Sequence, residues 1–508
     1  MLNTKTLVFT GLSLSIAGMT QAQNKAPNIL FIMSDDHTTQ AISSYGGVLG
    51  QYLPTPNIDR IGNEGVRLNS CFVTNSISIP SRSCILTSQY SWKNGVYANL
   101  DSLDRDHPNV AKELQKAGYQ TAIVGKWHLG KEPAGFDYYN VLPGQGRYDN
   151  PQLIRIGDWD KGPDGGLKLT EFGGHSTDVI ANEAISYLQS IDPDRPFYLN
   201  CHFKAPHRPC RPAHRFLDLL NDVTLPEPAN LFDDYEGRGR YAPQMLMSME
   251  HLTNEDLKGR TFPEHMTLNE KRSWAYQHFV KDYLRCVAGI DENVGRILKY
   301  LDDTGLAENT IVIYAGDQGL FLGEHGWFDK RLMHEESLRM PLLIRYPKEI
   351  KAGTVNNDMI LNLDFAPLFL DYAEISIPDY MQGESFRNNL KGQTPDDWRK
   401  SMYYRYWMYN ETVHAIPAHY GIRTERYKLI FYYSQALGVR GAQENSVEPE
   451  WELYDLQNDP AEMKNLYKDP AYSEVIVQLK QELLQLKEKY GDPDSKYPVM
   501  QEIYNKYW

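Results

Sequence analysis

The sequence predicts an α/β fold, a mixed sheet sandwiched by helices, followed by a smaller C-terminal α+β subdomain with a small antiparallel sheet and a terminal helix. Three observations carry this reading. Short β-branched apolar runs alternate with stretches of helical periodicity through most of the chain. Polar residues crowd the loops that follow the buried runs. Beyond about residue 395 the pattern changes to short strands and one amphipathic helix, which divides the chain into units at 23–395 and 396–508.

Taken in order, residues 28–33 (N-I-L-F-I-M) read as a buried strand that runs at once into Ser34-Asp35-Asp36-His37. Residues 120–124 and 196–201 are further strands. Residues 310–315 (T-I-V-I-Y-A) form another, leading into Gly316-Asp317-Gln318-Gly319, and 341–346 one more. Helical spacing covers 175–190 and 273–303, a helix over 364–373 closes the section, and 378–389 reads as a connecting loop. Downstream, 419–433 and 451–455 read as β-structure, and 473–490 as an amphipathic helix rich in Leu, Glu and Lys.

With 508 residues, 41% of them hydrophobic, the chain can bury a large core. Its net charge of -14 excludes a binder that relies on electrostatic attraction to nucleic acid. An anionic ligand would need a few local cations, because the overall field does not attract it. The 34 tyrosines suit either an aromatic core or stacking on sugars. Lys5, the apolar run 7–17 and Thr20-Gln21-Ala22 make residues 1–22 a signal peptide, so the mature chain is expected outside the cytoplasm, in the periplasm or secreted. That run is too short to span a bilayer comfortably. Five cysteines leave at least one free thiol; a Cys201–Cys210 bridge stays open, and no C-x-x-C spacing suggests zinc.

Five segments carry candidate chemistry. Asp35-Asp36 and Asp317-Gln318 follow two buried strands and supply hard oxygen donors suited to Ca²⁺ or Mg²⁺. In Ser78-Ile79-Pro80-Ser81-Arg82, Pro80 suits a first helical turn, which places Ser78 at a helix N-terminus with Arg82 one turn on. Read blandly, the same segment is a capped helix start. Gly125-Lys126-Trp127-His128-Leu129-Gly130 offers a cation and a proton carrier after a strand. Lys204-Ala205-Pro206-His207-Arg208-Pro209 holds a histidine between prolines, and Gly323-Glu324-His325-Gly326-Trp327-Phe328-Asp329-Lys330 adds another cation.

In order and over nearly the whole mature chain, these segments resemble the sulfatase family of the alkaline-phosphatase superfamily. S-I-P-S-R…L-T is similar to that family's C/S-x-P-S-R…L-T-G signature, with Ser88 in place of the usual Gly. G-K-W-H-L-G, G-E-H-G, Glu336 to Pro341, and the stretch from Glu452-Leu453-Tyr454-Asp455 to Asn465-Leu466 also match. The resemblance implies an alkaline-phosphatase-like sheet and sulfate-ester hydrolysis through a formylglycine made from Ser78 by an oxygen-independent radical maturase. One Ca²⁺ would be held by Asp35, Asp36, Asp317, Gln318 and residue 78. Asp317 would accept the nucleophile's proton, Arg82 would orient the hydrated aldehyde, and Lys126 and Lys330 would bind sulfate oxygens. His207 would protonate the leaving alcohol, and His128 would take the proton that releases sulfate.

Gly144 to Pro151 and Trp327 to Arg331 resemble the branch acting on 6-sulfated N-acetylglucosamine in glycosaminoglycan or mucin glycans, which implies exo-action on that sugar. His414, His419 and Arg423 fall where the C-terminal subdomain of the family leans over the active site, and they are candidate sugar contacts. The competing readings are a phosphonate or phosphodiester hydrolase of the same superfamily, and a non-catalytic glycan-binding protein on a sulfatase scaffold.

Overall fold

The computed structural model describes residues 26–445 and 447–508; the expected signal peptide lies outside them. Ten strands form one mixed sheet, and its centre is what positions the site. Asn28–Asp35 lies between Phe197–Pro206 and Thr310–Gly316 and is parallel to both, and Gln120–Lys126 continues the parallel run beyond Phe197–Pro206. Leu342–Arg345 adds antiparallel to Thr310–Gly316. All four central strands therefore end at the same edge of the sheet, where open α/β sheets place their ligands.

The central strands are buried on both faces, which is why they read as unbroken apolar runs. Ile29, Phe31 and Met33 enter one core; Leu30 and Ile32 enter the other. The second core is closed by the helices Ser176–Ser190 and Leu268–Asp303 through Ile180, Phe279, Tyr283 and Val287. Against the first core pack the helices Ser78–Thr87 and Phe365–Tyr372, and with them a four-stranded antiparallel sheet, Ser401–Tyr406, His419–Thr424, Tyr427–Tyr432 and Glu450–Asp455. The helix Ser473–Lys489 packs on that small sheet.

The small sheet is tied directly to the loops of the large one. The Tyr404 hydroxyl accepts from the Ser76 backbone N–H at 3.1 Å and donates to the Arg331 carbonyl at 2.5 Å. One tyrosine thus braces both the approach to Ser78 and the exit from Lys330. All five cysteines are buried free thiols, so the Cys201–Cys210 bridge is absent. Cys201 sits inside the strand Phe197–Pro206, and the Cys210 thiol donates instead to the Pro206 carbonyl at 3.1 Å.

Candidate active site

The ends of the four central strands deliver one cluster. Asp35 closes the first strand, Lys126 ends another, His207 follows the third, and Asp317-Gln318 follow the fourth. Asp35, Asp36 and Asp317 are buried, with one carboxylate oxygen from each lying within 4.8 Å of the others. The Asp36 N–H donates to Asp317 Oδ1 at 3.0 Å, which locks the two acid loops together. Gly125 is required where it stands: its φ is +91°, and a Cβ there would lie 2.0 Å from the His202 carbonyl.

Ser78 opens a helix whose ten residues are all buried. Four residues on, Arg82 shares its face and donates Nε to Asp317 at 3.0 Å, Nη1 to the Lys126 carbonyl at 2.8 Å and Nη2 to Asp35 at 3.4 Å. Ser81 Oγ donates to the Asp317 carbonyl at 2.5 Å. The first turn is thereby pinned against the acids, with the positive end of the helix dipole toward them. Among the described residues the Ser78 hydroxyl has no hydrogen-bond partner, although it is fully buried.

Two lysines meet the acids from other loops. Lys126 pairs with Asp35 and donates to Gln145 Oε1 at 2.6 Å; Lys330 donates to both oxygens of Asp36 at 2.5 and 2.6 Å. His207 Nε2 lies 3.7 Å from Asp36. Three carboxylates thus face three cations, Arg82, Lys126 and Lys330, in water-poor surroundings, an arrangement that burial permits only with such pairing. Burial opposes ionisation of Asp35, but Lys126, His207, Arg82 and Lys330 together hold its carboxyl well below the usual range. Burial, helped by the Asp35 charge, pushes Asp317 up to about 7. Lys126 is pulled down to about 8 by burial, with Asp35 offsetting part of the effect. His207 and His128 are both pulled well down, by burial first and by Lys126 second.

The donor set fits a hard divalent cation. Besides the three carboxylates, Gln318 donates its Nε2 to Asp36 at 2.5 Å, while its buried Oε1 has no partner among the described residues. An amide oxygen left bare among carboxylates has the chemistry of a ligand for a cation of the calcium or magnesium type. Bound there, such an ion would be held by oxygen alone.

A family profile described as Sulfatase matches residues 27–375, and one described as N-sulphoglucosamine sulphohydrolase, C-terminal, matches 323–489. The chain belongs to the sulfatase family. An N-acetylglucosamine-6-O-sulfatase of Bacteroides thetaiotaomicron is 43% identical, with 98% of this chain and 94% of that one covered. An arylsulfatase of Clostridium perfringens is 26% identical over 90% of this chain and 94% of that one. A solved structure of a protein with its substrate D-glucosamine-2-N,6-O-disulfate aligns with a TM-score of 0.85 at 42% identity, covering 93% of this chain and all of the other.

Not every predicted residue of this sulfatase reaches the cluster. His414 borders it: Nε2 lies 3.1 Å from Asp329, the neighbour of Lys330, and Nδ1 lies 2.5 Å from Glu411. His419 is stacked between Tyr404, Tyr406 and Tyr432 with no exposure, and Arg423 is paired with Glu335 at 3.1 Å and covers the Phe72 ring. Both are committed to packing, so a sugar contact from either finds no support in their placement. His325 of G-E-H-G likewise joins Asp233 and Arg238 outside the cluster. Sequence reasoning assigned no role to Gln145, Asp329, Arg208 or Glu411. Asp329 pairs with Arg208, Arg331 and His414. The available signals were its position beside Lys330 and its place within the stretch Trp327 to Arg331.

Proposed function

We propose that this sulfatase removes the 6-O-sulfate from N-acetylglucosamine or its N-sulfated analogue at a glycan end, after conversion of Ser78 to formylglycine. The observation that carries the reading is the buried Ser78 hydroxyl, without a partner among the described residues, at a helix start fixed by Arg82 and Ser81 to the acid cluster. The choice of sugar rests on the relatives named above, one called an N-acetylglucosamine-6-O-sulfatase and one solved with a 6-O-sulfated glucosamine. Calcium is the ion we assign to Asp35, Asp36, Asp317, Gln318 and residue 78; bound, it would polarise the sulfate and neutralise charge as the ester breaks. The hydrated aldehyde at position 78 would supply the attacking hydroxyl.

The chain's own groups do the rest. Asp317, held by Arg82 and kept ionised when the cation is bound, is placed to accept the proton of that hydroxyl. Lys126 and Lys330 bind the sulfate oxygens and hold the ester in line. An alkoxide leaves poorly, so His207 protonates the departing sugar oxygen. In the free site burial and Lys126 keep this imidazole neutral. An anionic sulfate beside Lys126 offsets that repulsion, so the proton is gained with substrate. His128, half-buried and kept neutral by burial and Lys126, takes the proton that frees sulfate. We place the mature protein outside the cytoplasm, as the sequence of residues 1–22 reads.

The test is a panel of defined sulfated mono- and disaccharides, with an aryl phosphodiester, given to protein coexpressed with a radical maturase. The reading expects release of sulfate from 6-sulfated N-acetylglucosamine at a non-reducing end. Faster turnover of the phosphodiester would contradict it.

A further inference from the structure

Beside His207 lies an open pocket of roughly 220 Å³, lined by Arg147, Tyr148, Asp149, Lys204, Arg211 and Glu255 among others. Lys204 projects from the strand Phe197–Pro206 and is 3% exposed. Among the described residues no hydrogen bond or ion pair engages its ammonium; its one close partner is the face of Tyr148, 4.8 Å away. Lys126 and Lys330, by contrast, are both paired with carboxylates. Burial pulls the Lys204 ammonium below its ordinary value, and Asp35 offsets only part of that. The side chain is buried while its ammonium opens on the pocket, so among the described residues no acceptor neutralises it and an anion seated there would meet an uncompensated charge.

The rest of the pocket is consistent with such an anion. Arg147 is exposed at the mouth and likewise has no ion pair among the described residues. Arg211 lies 3.8 Å from Glu255, so those two largely cancel, leaving Lys204 and Arg147 against Asp149. The pocket and the expected proton donor share a wall, because the Tyr148 hydroxyl donates to the His207 carbonyl at 2.5 Å. A group seated here would lie on the His207 side of the cluster, within reach of a saccharide whose ester occupies it.

We propose that Lys204, with Arg147, receives a second anionic group of the substrate, a sulfate or carboxylate that is retained and not hydrolysed. This rests on the reading that a sulfated sugar occupies the cluster at Ser78. It makes the enzyme selective for saccharides that are doubly charged, on a protein whose net charge of -14 would otherwise disfavour them.

Matured wild type, Lys204→Met, Lys204→Arg and Arg147→Ala are compared on three substrates. N-acetylglucosamine 6-sulfate lacks a second anion, glucosamine 2-N,6-O-disulfate carries it on the same ring, and a disaccharide with an adjoining uronate carries it on the neighbour. Lys204→Met should raise KM on one of the doubly anionic substrates roughly tenfold more than on the monosulfate, the worth of one charge-assisted hydrogen bond. Lys204→Arg should restore part of it, and the substrate affected tells which source is read. Equal changes on all three substrates, or none, overturn the proposal. Should no sulfate ester be turned over, the function proposed above fails while the pocket is still read: calorimetric titration of unmatured protein with the disulfate and the monosulfate should favour the disulfate, and lose that preference in Arg147→Ala.

Discussion

At the scale of single residues, the site is built from backbone that most side chains avoid. Asp36, His128, Asp329 and Arg331 all have positive φ, at 64°, 56°, 75° and 91°. Such conformations cost of order 1–3 kcal/mol each and persist where surrounding contacts over-determine them. Here Asp317 fixes Asp36, and Tyr404 fixes Arg331. Two predictions belong to this scale. On the proposed mechanism Asp317→Asn should lower kcat by on the order of 10²–10³-fold or more, and, because the change breaks the buried pair with Arg82, it should lower the unfolding midpoint as well; near-normal turnover of folded protein would refute the assignment. Lys126 must be charged to bind sulfate and sits at about 8, so kcat/KM should fall as pH rises through about 8. A pH–rate profile checks the direction of that limb, and Lys126→Met should lack it along with most of the activity.

Among the elements, the helix Ser78–Thr87 shows how a departure from the family signature is accommodated. Ser88, where the family usually has Gly, is the C-cap with φ 55° and ψ 35°, the left-handed region that favours glycine. Its hydroxyl donates to the Leu363 carbonyl at 2.7 Å and accepts from the Gly383 N–H at 3.0 Å, contacts a glycine could not make. At the other end, Ser81 ties the helix to the acid loop. Ser81→Ala should cost about 1 kcal/mol in chemical denaturation, the net worth of one hydrogen bond, and reduce kcat by a smaller factor than Asp317→Asn. The elements that sequence reading found were those with an unambiguous signal. The doubly buried central strands read as apolar runs and came out within two residues, as did the helices Ser176–Ser190 and Ser473–Lys489, except that the strand read at 196–201 runs on to Pro206 through the polar residues His202 and Lys204. The long helix begins at Leu268 and not at 273, because its polar first turn hides the apolar period; the Thr267–Glu270 capping box marks the true start. The edge strand Ser401–Tyr406, a run of tyrosines with one arginine, and the last helix, Pro498–Tyr507, gave no period to follow.

For the molecule as a whole, the same distinction separates what was legible in the site from what was not. Strand ends are local features, so Asp35, Lys126 and Asp317 could be picked out by the polar residues that follow apolar runs. The ring of partners around Asp329 joins segments far apart in the chain, Arg208, Arg331 and His414, and no local pattern announces it. His419 and Arg423 illustrate the opposite case: residues near the site by sequence analogy are held by local packing, His419 among the tyrosines of the small sheet and Arg423 by Glu335 and the Phe72 ring. Charge also acts at this scale. Three buried carboxylates balance three cations, so a bound divalent ion leaves the cluster positive, which is how an acidic protein can draw an anionic ester. Ligand binding stabilises the native state by mass action, about 2.7 kcal/mol at a hundredfold excess over Kd. Calcium should therefore raise the thermal midpoint of the apoprotein, and Asp35→Ala should abolish the rise. A response unchanged in that variant would place the ion elsewhere.

The central claim, that Ser78 becomes the nucleophile of a sulfate-ester hydrolase, is tested most directly by mass spectrometry of the peptide carrying residue 78 alongside sulfate release from N-acetylglucosamine 6-sulfate. In preparations matured to different extents, the account predicts loss of two hydrogens at Ser78 and activity proportional to the converted fraction. Equal activity in fully unconverted protein, or none in converted protein across the sulfated panel, would contradict it.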